Sequence, residues 1–243
     1  MLLQLLINNP ILLTPLVIAT IPLVINIYKI KQYKKGAYYK ITKNYYSSVM
    51  RDKGMHGEYL IYKYLSYFEN FGGKFLFNIL VPKRNGETAE IDVLLICAKG
   101  LFVFECKNYS GWIFGHEAQK NWVQILPTGR KRSHKEYFYN PIMQNAAHIK
   151  HLKTLIGQNI PMHSVIVFSD RCTLRDVTIK SSDINVAHHY NIASVITHIL
   201  YQTKTDITEP EINSIYSKLY PYTQHSYQER EEHIRNINNQ QIP

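Results

Sequence analysis

Two apolar runs, separated by a short turn, are the most regular feature of the hydrophobic pattern. Apart from one aspartate, residues 91–97 and 101–104 are β-branched, leucine, aromatic and cysteine residues. Runs of this length and composition are typical of strands that are buried on both faces. The turn between them, Ala-Lys-Gly at residues 98–100, is short enough to fold the two strands into a hairpin. The pattern therefore predicts a buried central hairpin.

The open end of this hairpin collects charged side chains. Folding the hairpin brings Asp92 back beside Glu105 and Lys107. Because side chains alternate along a strand, Glu105 and Lys107 point to one face while Cys106 points to the other. The sequence thus predicts two carboxylates and one ammonium group in a single cluster.

Helical periodicity on both sides of the hairpin adds two polar side chains to this picture. Glu58 begins an apolar stripe at helical spacing, and Gln144 lies with His148 and His151 on one face of a helix that follows Asn140-Pro141. Other apolar runs predict strands at residues 164–168 and 184–187 and helices at residues 192–200 and 208–219. This alternation of strands and helices is typical of an α/β fold.

The charged cluster suits metal-assisted chemistry on a phosphate. Carboxylates bind Mg²⁺ or Mn²⁺, and such ions keep positions open for a phosphate and an attacking water. A lysine beside that water could orient it or accept its proton. Glu58 is either a further metal ligand or a helix-dipole residue, and Gln144 either contacts the phosphate or lies on a solvated helix face. For the hairpin cluster alone, an ion pair at a strand end is the alternative explanation.

Several separated motifs follow one another in an order known from a protein family. They are G-x-x-G-E at residues 54–58, E-I-D at 90–92, F-E-C-K-N-Y-S-G-W-I-F-G at 104–115, Trp122, and N-P-I-M-Q-N-A-A-H-I-K at 140–150. This set resembles the nuclease-related domain family, known as NERD, of the PD-(D/E)xK nuclease superfamily. The resemblance covers residues 50–160 closely.

The resemblance implies a restriction-endonuclease-like α/β core, with a central mixed sheet flanked by helices. It also implies a metal-dependent nuclease that hydrolyses phosphodiester bonds of DNA or RNA, with Mg²⁺ or Mn²⁺ as cofactor. The positions that match the proposed active site of the family are Glu58, Asp92, Glu105, Lys107 and Gln144, and its metal ligands would be Asp92, Glu105 and Glu58. Cys106 replaces the valine or other apolar residue common inside E-x-K, and this change removes no group that the chemistry needs.

Two non-enzymatic alternatives remain open at this point. In the first, the chain is a catalytically weak or inactive module that tethers nucleic acid or a partner protein at the membrane. In the second, the cluster is a structural group of ion pairs in an anchored scaffold. Metal-dependent cleavage separates the enzyme from both alternatives, and the oligomeric state is not predicted.

The charge balance favours a polyanionic partner. The 243 residues carry a net charge of +10, which suits nucleic acid or anionic lipid. A basic run precedes the Asn140-Pro141 helix and lies among aromatic residues, so it could follow a nucleic-acid backbone, although a solvated loop is the alternative. Its members are Arg130, Lys131, Arg132 and Lys135.

The N-terminal 28 residues contain no charged side chain, and residues 11–28 are predominantly apolar. As a helix this run would extend roughly 27 Å, close to the hydrocarbon thickness of a bilayer. It predicts a single transmembrane helix, with a cleaved signal peptide as the alternative. Lysines at 29, 31, 34, 35 and 40 place the N-terminus outside the cell membrane and the nuclease domain in the cytoplasm. Three cysteines without a disulfide framework agree with a reducing compartment.

These inferences divide the chain into five segments. They are a transmembrane anchor at 1–28, a basic juxtamembrane linker at 29–50, a nuclease-like core at 51–160, a C-terminal completion of the α/β domain at 161–237, and a disordered tail at 238–243.

Overall fold

The computed structural model describes residues 14–83, 86–129, 132–225, 233 and 235. Its first half contains α1 (Thr14–Lys35), α2 (Ala37–Thr42), α3 (Tyr46–Arg51), α4 (Lys53–Leu65), a 3₁₀ turn (Ser66–Phe71), β1 (Lys74–Pro82), β2 (Thr88–Cys97), β3 (Gly100–Lys107), β4 (Gly111–His116), β5 (Asn121–Pro127) and β6 (Ser133–Tyr139). Its second half contains α5 (Pro141–Ile156), β7 (Met162–Phe168), β8 (Cys172–Thr178), β9 (Ile184–His188), a 3₁₀ turn (His189–Asn191), α6 (Ile192–Gln202), α7 (Glu209–Leu219) and a 3₁₀ turn (Tyr220–Thr223).

The main sheet has five strands in the order β1-β2-β3-β7-β9. β1, β2 and β3 pair antiparallel, whereas β7 joins β3 in parallel and β9 joins β7 in parallel. At the centre of the sheet, Phe104 of β3 pairs with Val93 of β2 on one side and with Val165 of β7 on the other. α4 and α5 pack against this sheet. The predicted α/β fold with a mixed sheet flanked by helices is therefore confirmed.

The predicted hairpin forms the middle of this sheet. The apolar parts of β2 and β3 are completely or almost completely buried, as their continuous hydrophobic runs predict. The turn between them depends on Gly100, whose φ is +108°, and a Cβ there would collide with the carbonyl oxygen of Pro161. Glycine is thus needed for both the backbone angle and the close approach of the next segment.

A second sheet of four strands, in the order β6-β5-β4-β8, begins four residues after Lys107. The hydrophobic pattern of the sequence did not reveal it as a separate layer. Trp122 of β5 is fully buried and stacks on Phe168 of β7, with ring centroids 6.1 Å apart. This stack joins the second sheet to the main sheet next to the end of β3.

The segment at residues 29–50, predicted from its lysines and tyrosines as a linker, contributes to the main hydrophobic core. Tyr33, Tyr38, Ile41 and Val49 are buried there, and the ring of Tyr38 packs edge-on against Phe77 of β1 at 4.9 Å. Aromatic contacts of this kind do not require regular apolar spacing. The segment therefore packs as part of the domain.

The predicted transmembrane anchor at residues 1–28 is not supported. Among the residues that the structure describes, no helix combines the length and the apolar character that a bilayer crossing needs. Residues 1–13 of the predicted anchor lie outside the described part of the chain, as do residues 226–232, 234, 236 and 237 and all of the predicted tail at 238–243. The cellular location stays a prediction from the sequence.

A close contact sets the distance between α4 and β3. Gly57 of α4 is buried, and a Cβ at this position would lie 2.6 Å from Sγ of Cys106. Only a residue without a side chain permits this approach. Because Glu58 follows directly on the helix, the contact also determines how near that carboxylate comes to the end of β3.

Replacing Gly57 with alanine should therefore destabilise the protein. Overpacking of this kind typically costs about 1–3 kcal/mol, although alanine has a higher helix propensity than glycine by about 1 kcal/mol. Chemical denaturation of Gly57→Ala should show a net loss of stability, and Cys106→Ala in the same chain should restore part of it.

Gly54→Ala is the matched control on the same helix. Its Cβ would meet only the carboxylate of Asp52, at 3.3 Å, and that side chain can move. The control should lose less stability than Gly57→Ala. A Gly57→Ala variant that Cys106→Ala does not rescue would show that the helix is not positioned by this contact.

Candidate active site

A buried ion pair at the end of β3 forms the centre of the site. Glu105 is 1% exposed, and its Oε1 lies 2.6 Å from Nζ of Lys107. The same ammonium group donates a hydrogen bond of 3.0 Å to Oε1 of Gln144 on α5. Three residues predicted from the sequence thus lie together on the face of β3 that α5 covers.

Asp92 lies beside this pair on β2, one residue before Val93, which pairs with Phe104 of β3. Its Oδ2 accepts a hydrogen bond of 2.8 Å from the backbone N–H of Cys106. Burial raises the pKa of Asp92 well above its ordinary value, and the negative charges of Glu105 and Glu58 raise this pKa further. The hairpin register therefore gathers carboxylates that repel one another.

Glu58 reaches the cluster from α4. The hydroxyl of the buried Tyr38 lies 3.1 Å from Oε2 of Glu58 and 3.1 Å from the carbonyl oxygen of Met55. Burial and the charge of Glu58 together raise the pKa of Tyr38, so this phenol stays protonated and remains a hydrogen-bond donor. The family motif in the sequence predicts Glu58 in the site, but nothing in the sequence indicates Tyr38 as its neighbour.

His148 is the site residue whose role sequence reasoning missed. It lies one helical turn after Gln144 on α5, is 7% exposed, and places Nε2 3.2 Å from Oε2 of Glu105. The distance allows an ion pair, but the ring is not aligned for a hydrogen bond, and neither atom has a hydrogen-bond partner among the described residues. The spacing of four residues between Gln144 and His148 places both side chains on one face of the helix, and this is the feature of the sequence that indicates His148 as a neighbour of the site.

The protonation states follow from these contacts. Burial opposes both charges of the central pair, but each partner stabilises the other. For Glu105, Lys107 and His148 outweigh burial and lower the pKa of the carboxyl group. For Lys107, Glu105 and Asp92 outweigh burial and raise the pKa of the ammonium group. Lys107 is consequently a cation at neutral pH and supplies positive charge rather than a basic lone pair.

The donor set fits a divalent cation, although it is not a complete cage. Among the described residues, no group of three or more His, Cys, Asp or Glu side chains is arranged to hold a metal ion. Oε2 of Glu105 is nevertheless a buried carboxylate oxygen without a hydrogen-bond partner there. Burial and nearby negative charge raise the pKa of Asp92 and so destabilise its ionised form. Mg²⁺ commonly uses one or two carboxylates and completes its shell with water and substrate phosphates.

The predicted nucleic-acid-binding run is only partly described. Arg130 and Lys131 lie outside the described residues, whereas Arg132 is exposed and Lys135 lies on β6. Nζ of Lys135 lies 4.9 Å from the ring centroid of the exposed Tyr137. The role of this run stays a prediction.

Comparisons with known proteins indicate the family of the chain. The family model described as nuclease-related domain matches residues 53–169, a range that contains all five predicted catalytic residues. An uncharacterised protein of Bacillus anthracis is 35% identical over 164 residues, which cover 68% of this chain and 74% of that protein. No solved structure matches the chain.

The raised pKa of Asp92 gives a test of the electrostatics. A carboxyl group whose pKa is higher in the folded than in the unfolded state favours folding while it is protonated, and it loses this contribution as pH rises from its ordinary pKa near 3.8 through the raised value. Asp92→Asn keeps an oxygen acceptor for the Cys106 N–H and removes the charge. In EDTA this variant should be more stable than the parent at pH 8, with a smaller difference at pH 4.

Denaturation curves at the two pH values measure this difference. Asp206→Asn is a matched control, because Asp206 forms an exposed ion pair with Lys99 at the far end of the hairpin, and exposed pairs contribute little. An Asp92→Asn protein that is less stable than the parent at pH 8 would contradict the raised pKa of Asp92.

Proposed function

The chain belongs to the nuclease-related domain family, and from this membership we propose that it is a metal-dependent nuclease that hydrolyses phosphodiester bonds of DNA or RNA. The observation that carries the proposal is the buried Glu105–Lys107 pair, which lies beside Asp92 and contacts Gln144. Burial of two opposite charges at a strand end costs desolvation energy. Perturbed carboxylates next to a fixed cation are typical of catalytic sites.

The carboxylates would hold the metal ion. Asp92 and Glu105 are the proposed ligands of Mg²⁺ or Mn²⁺, and Glu58 is a further ligand or an outer group held by Tyr38. When bound, such an ion lowers the pKa of a coordinated water and offsets the negative charge of a phosphate. This role explains why three acidic side chains converge on a region with a single lysine.

Lys107 and Gln144 would act on the phosphate and the water. Because its pKa is raised, Lys107 remains protonated and can stabilise the charge that develops on the phosphate oxygens. Gln144 accepts a hydrogen bond from Lys107 through Oε1, which leaves its amide N–H groups available to donate to a phosphate oxygen. Glu105 holds the ammonium group in place through the 2.6 Å contact.

The proposed reaction is hydrolysis by in-line displacement. Water adds to phosphorus, and the bond between phosphorus and one ester oxygen breaks. The leaving oxygen ends protonated, and the proton that the water loses passes to it or to solvent. Lys107 takes part as a charge and not as the proton acceptor, since its ammonium form is the stable one in this site.

Cleavage assays on the full chain test this proposal. Labelled single- and double-stranded DNA and RNA are incubated with Mg²⁺, Mn²⁺ or EDTA, and at least one substrate should be cleaved only with metal. Lys107→Met preserves much of the side-chain volume and removes the cation, so cleavage should fall by roughly two to three orders of magnitude, as for loss of one group that stabilises transition-state charge. Mn²⁺ binding by the same variant should persist, because the carboxylates are intact.

Lys99→Met is the matched control for this variant. Lys99 lies at the opposite end of the hairpin in an ion pair with Asp206, and its loss should leave cleavage within twofold of the parent. Cleavage by Lys107→Met at the parental rate would remove Lys107 from the mechanism. Salt-sensitive nucleic-acid binding without any cleavage by the parent would favour a tethering module instead.

A further inference from the structure

A groove opens directly beside the proposed active site and is not used by the chemistry described above. It has a volume of about 350 Å³, at the lower end of the range of roughly 300–1,000 Å³ that is typical of ligand pockets. Four segments that are distant in the sequence form its walls, namely residues 50–60, Asn108, residues 169–171 and His189. Its principal polar lining residues are Arg51, Lys53, His56, Asn108, Ser169 and Arg171.

Two residues that line the groove, Asn108 and Ser169, are joined directly to Lys107 of the active site. Asn108 follows Lys107 in the chain, and the N–H of Ser169 donates a hydrogen bond of 3.0 Å to the carbonyl oxygen of Lys107. A chain-like ligand held in the groove would therefore contact the residue that directly follows Lys107 in the chain. A polymer with a repeating anionic backbone meets this requirement.

Arg171 is positioned to bind an anion in this groove. Its Nη2 donates to the backbone oxygen and to Oδ1 of Asn108 at 3.1 and 2.8 Å, and its Nε lies 3.3 Å from Oγ of Ser169. These contacts fix the guanidinium plane, while the two N–H groups of Nη1 have no partner among the described residues. A held guanidinium with free donors is well suited to a phosphate.

The charge of the groove is positive. Arg51 and Lys53 are exposed beside Arg171, and the two acidic residues of the lining are engaged with backbone groups. Asp52 accepts a hydrogen bond from the N–H of Met55, and Asp170 accepts one from the N–H of Tyr190. Burial and the positive charge of Arg171 lower the pKa of His56, which agrees with an excess of positive charge.

An exposed aromatic ring belongs to the residue that follows His189, a lining residue of the groove, and the backbone N–H of this residue, Tyr190, donates to Asp170 in the lining. Tyr190 is 68% exposed and stacks on His188, with ring centroids 5.4 Å apart and planes inclined by 13°. Nδ1 of His188 lies 3.1 Å from the carbonyl oxygen of Ser169, so the stack is attached to the wall of the groove. Basic side chains next to an open aromatic face are typical of single-strand binding, because an unpaired base can stack on the ring.

We infer that this groove binds the phosphodiester backbone of a single-stranded nucleic acid next to the bond that is cleaved, with Arg171, Arg51 and Lys53 on phosphates and Tyr190 under a base. The inference rests on the proposed nuclease function and specifies its substrate: a strand that is single-stranded on at least one side of the cleavage site. Duplex DNA would present its bases to each other rather than to Tyr190.

Salt-dependent binding of the full chain tests the groove without cleavage. Affinity for fluorescent single-stranded oligonucleotides is measured in EDTA at several salt concentrations. Each phosphate contact contributes about 0.7 to the slope of log K against log salt for single strands. Arg51→Gln/Lys53→Gln should therefore bind more weakly than the parent and reduce the slope by about 1.4. Lys204→Gln/Lys218→Gln, an equal loss of exposed charge outside the groove, should leave the slope nearly unchanged.

Two further variants distinguish the loss of a phosphate contact from the loss of structural contacts and from the loss of base stacking. Arg171→Gln should reduce the slope by about 0.7, a change that loss of its structural contacts alone would not produce. Tyr190→Ala should weaken single-strand binding by about tenfold with an unchanged slope, because stacking releases no counterions. The parent should bind a single strand more tightly than a blunt duplex of the same length.

The experiments can contradict the inferred binding groove and the proposed nuclease function independently of each other. A parent that cleaves with metal, together with groove variants that match the parent in slope and affinity, would overturn the groove alone. Reduced slopes without metal-dependent cleavage would retain the groove and overturn the nuclease. A parent that binds no single strand, or binds a blunt duplex equally well, would overturn the inferred substrate.

Discussion

The buried ion pair between Glu105 and Lys107 is the interaction on which the site depends. Two opposite charges at the end of a central strand carry a large desolvation cost, and they are stable there only when surrounding groups compensate. Gln144 and His148 of α5 approach the pair from one face of the sheet. On the other side of β3, the Gly57–Cys106 contact brings α4 close. The packing of both helices is thus tied to the same strand end.

The end of β3 carries more negative than positive side chains, which suits it to bind a cation. Glu58, Asp92 and Glu105 meet around one lysine, and burial together with their mutual repulsion raises the pKa of Asp92. A divalent cation and a phosphate would complete the set, since the cation offsets the carboxylates and Lys107 offsets the phosphate. The groove with Arg171 extends the positive charge away from the centre, along a path that starts at Asn108.

The sequence predicts the clustering of the hairpin side chains because strands have a strict period of two. Once residues 91–97 and 101–104 are recognised as a hairpin, the alternation places Glu105 and Lys107 on one face and Asp92 at the same end. Other features depend on how separate elements dock, which local periodicity does not encode. The contact of His148 with Glu105, the packing of Tyr38 on Phe77, and the second sheet joined through Trp122 all belong to this group.

The position of a bound metal ion tests the central claim most directly. Crystals of the full chain soaked with Mn²⁺ and examined by anomalous diffraction should show one strong peak in contact with the carboxylates of Asp92 and Glu105. The peak should disappear in crystals of Glu105→Gln. A Mn²⁺ peak bound elsewhere, with the Asp92 and Glu105 carboxylates free of metal at saturating Mn²⁺, would contradict a metal-dependent nuclease centred on this ion pair.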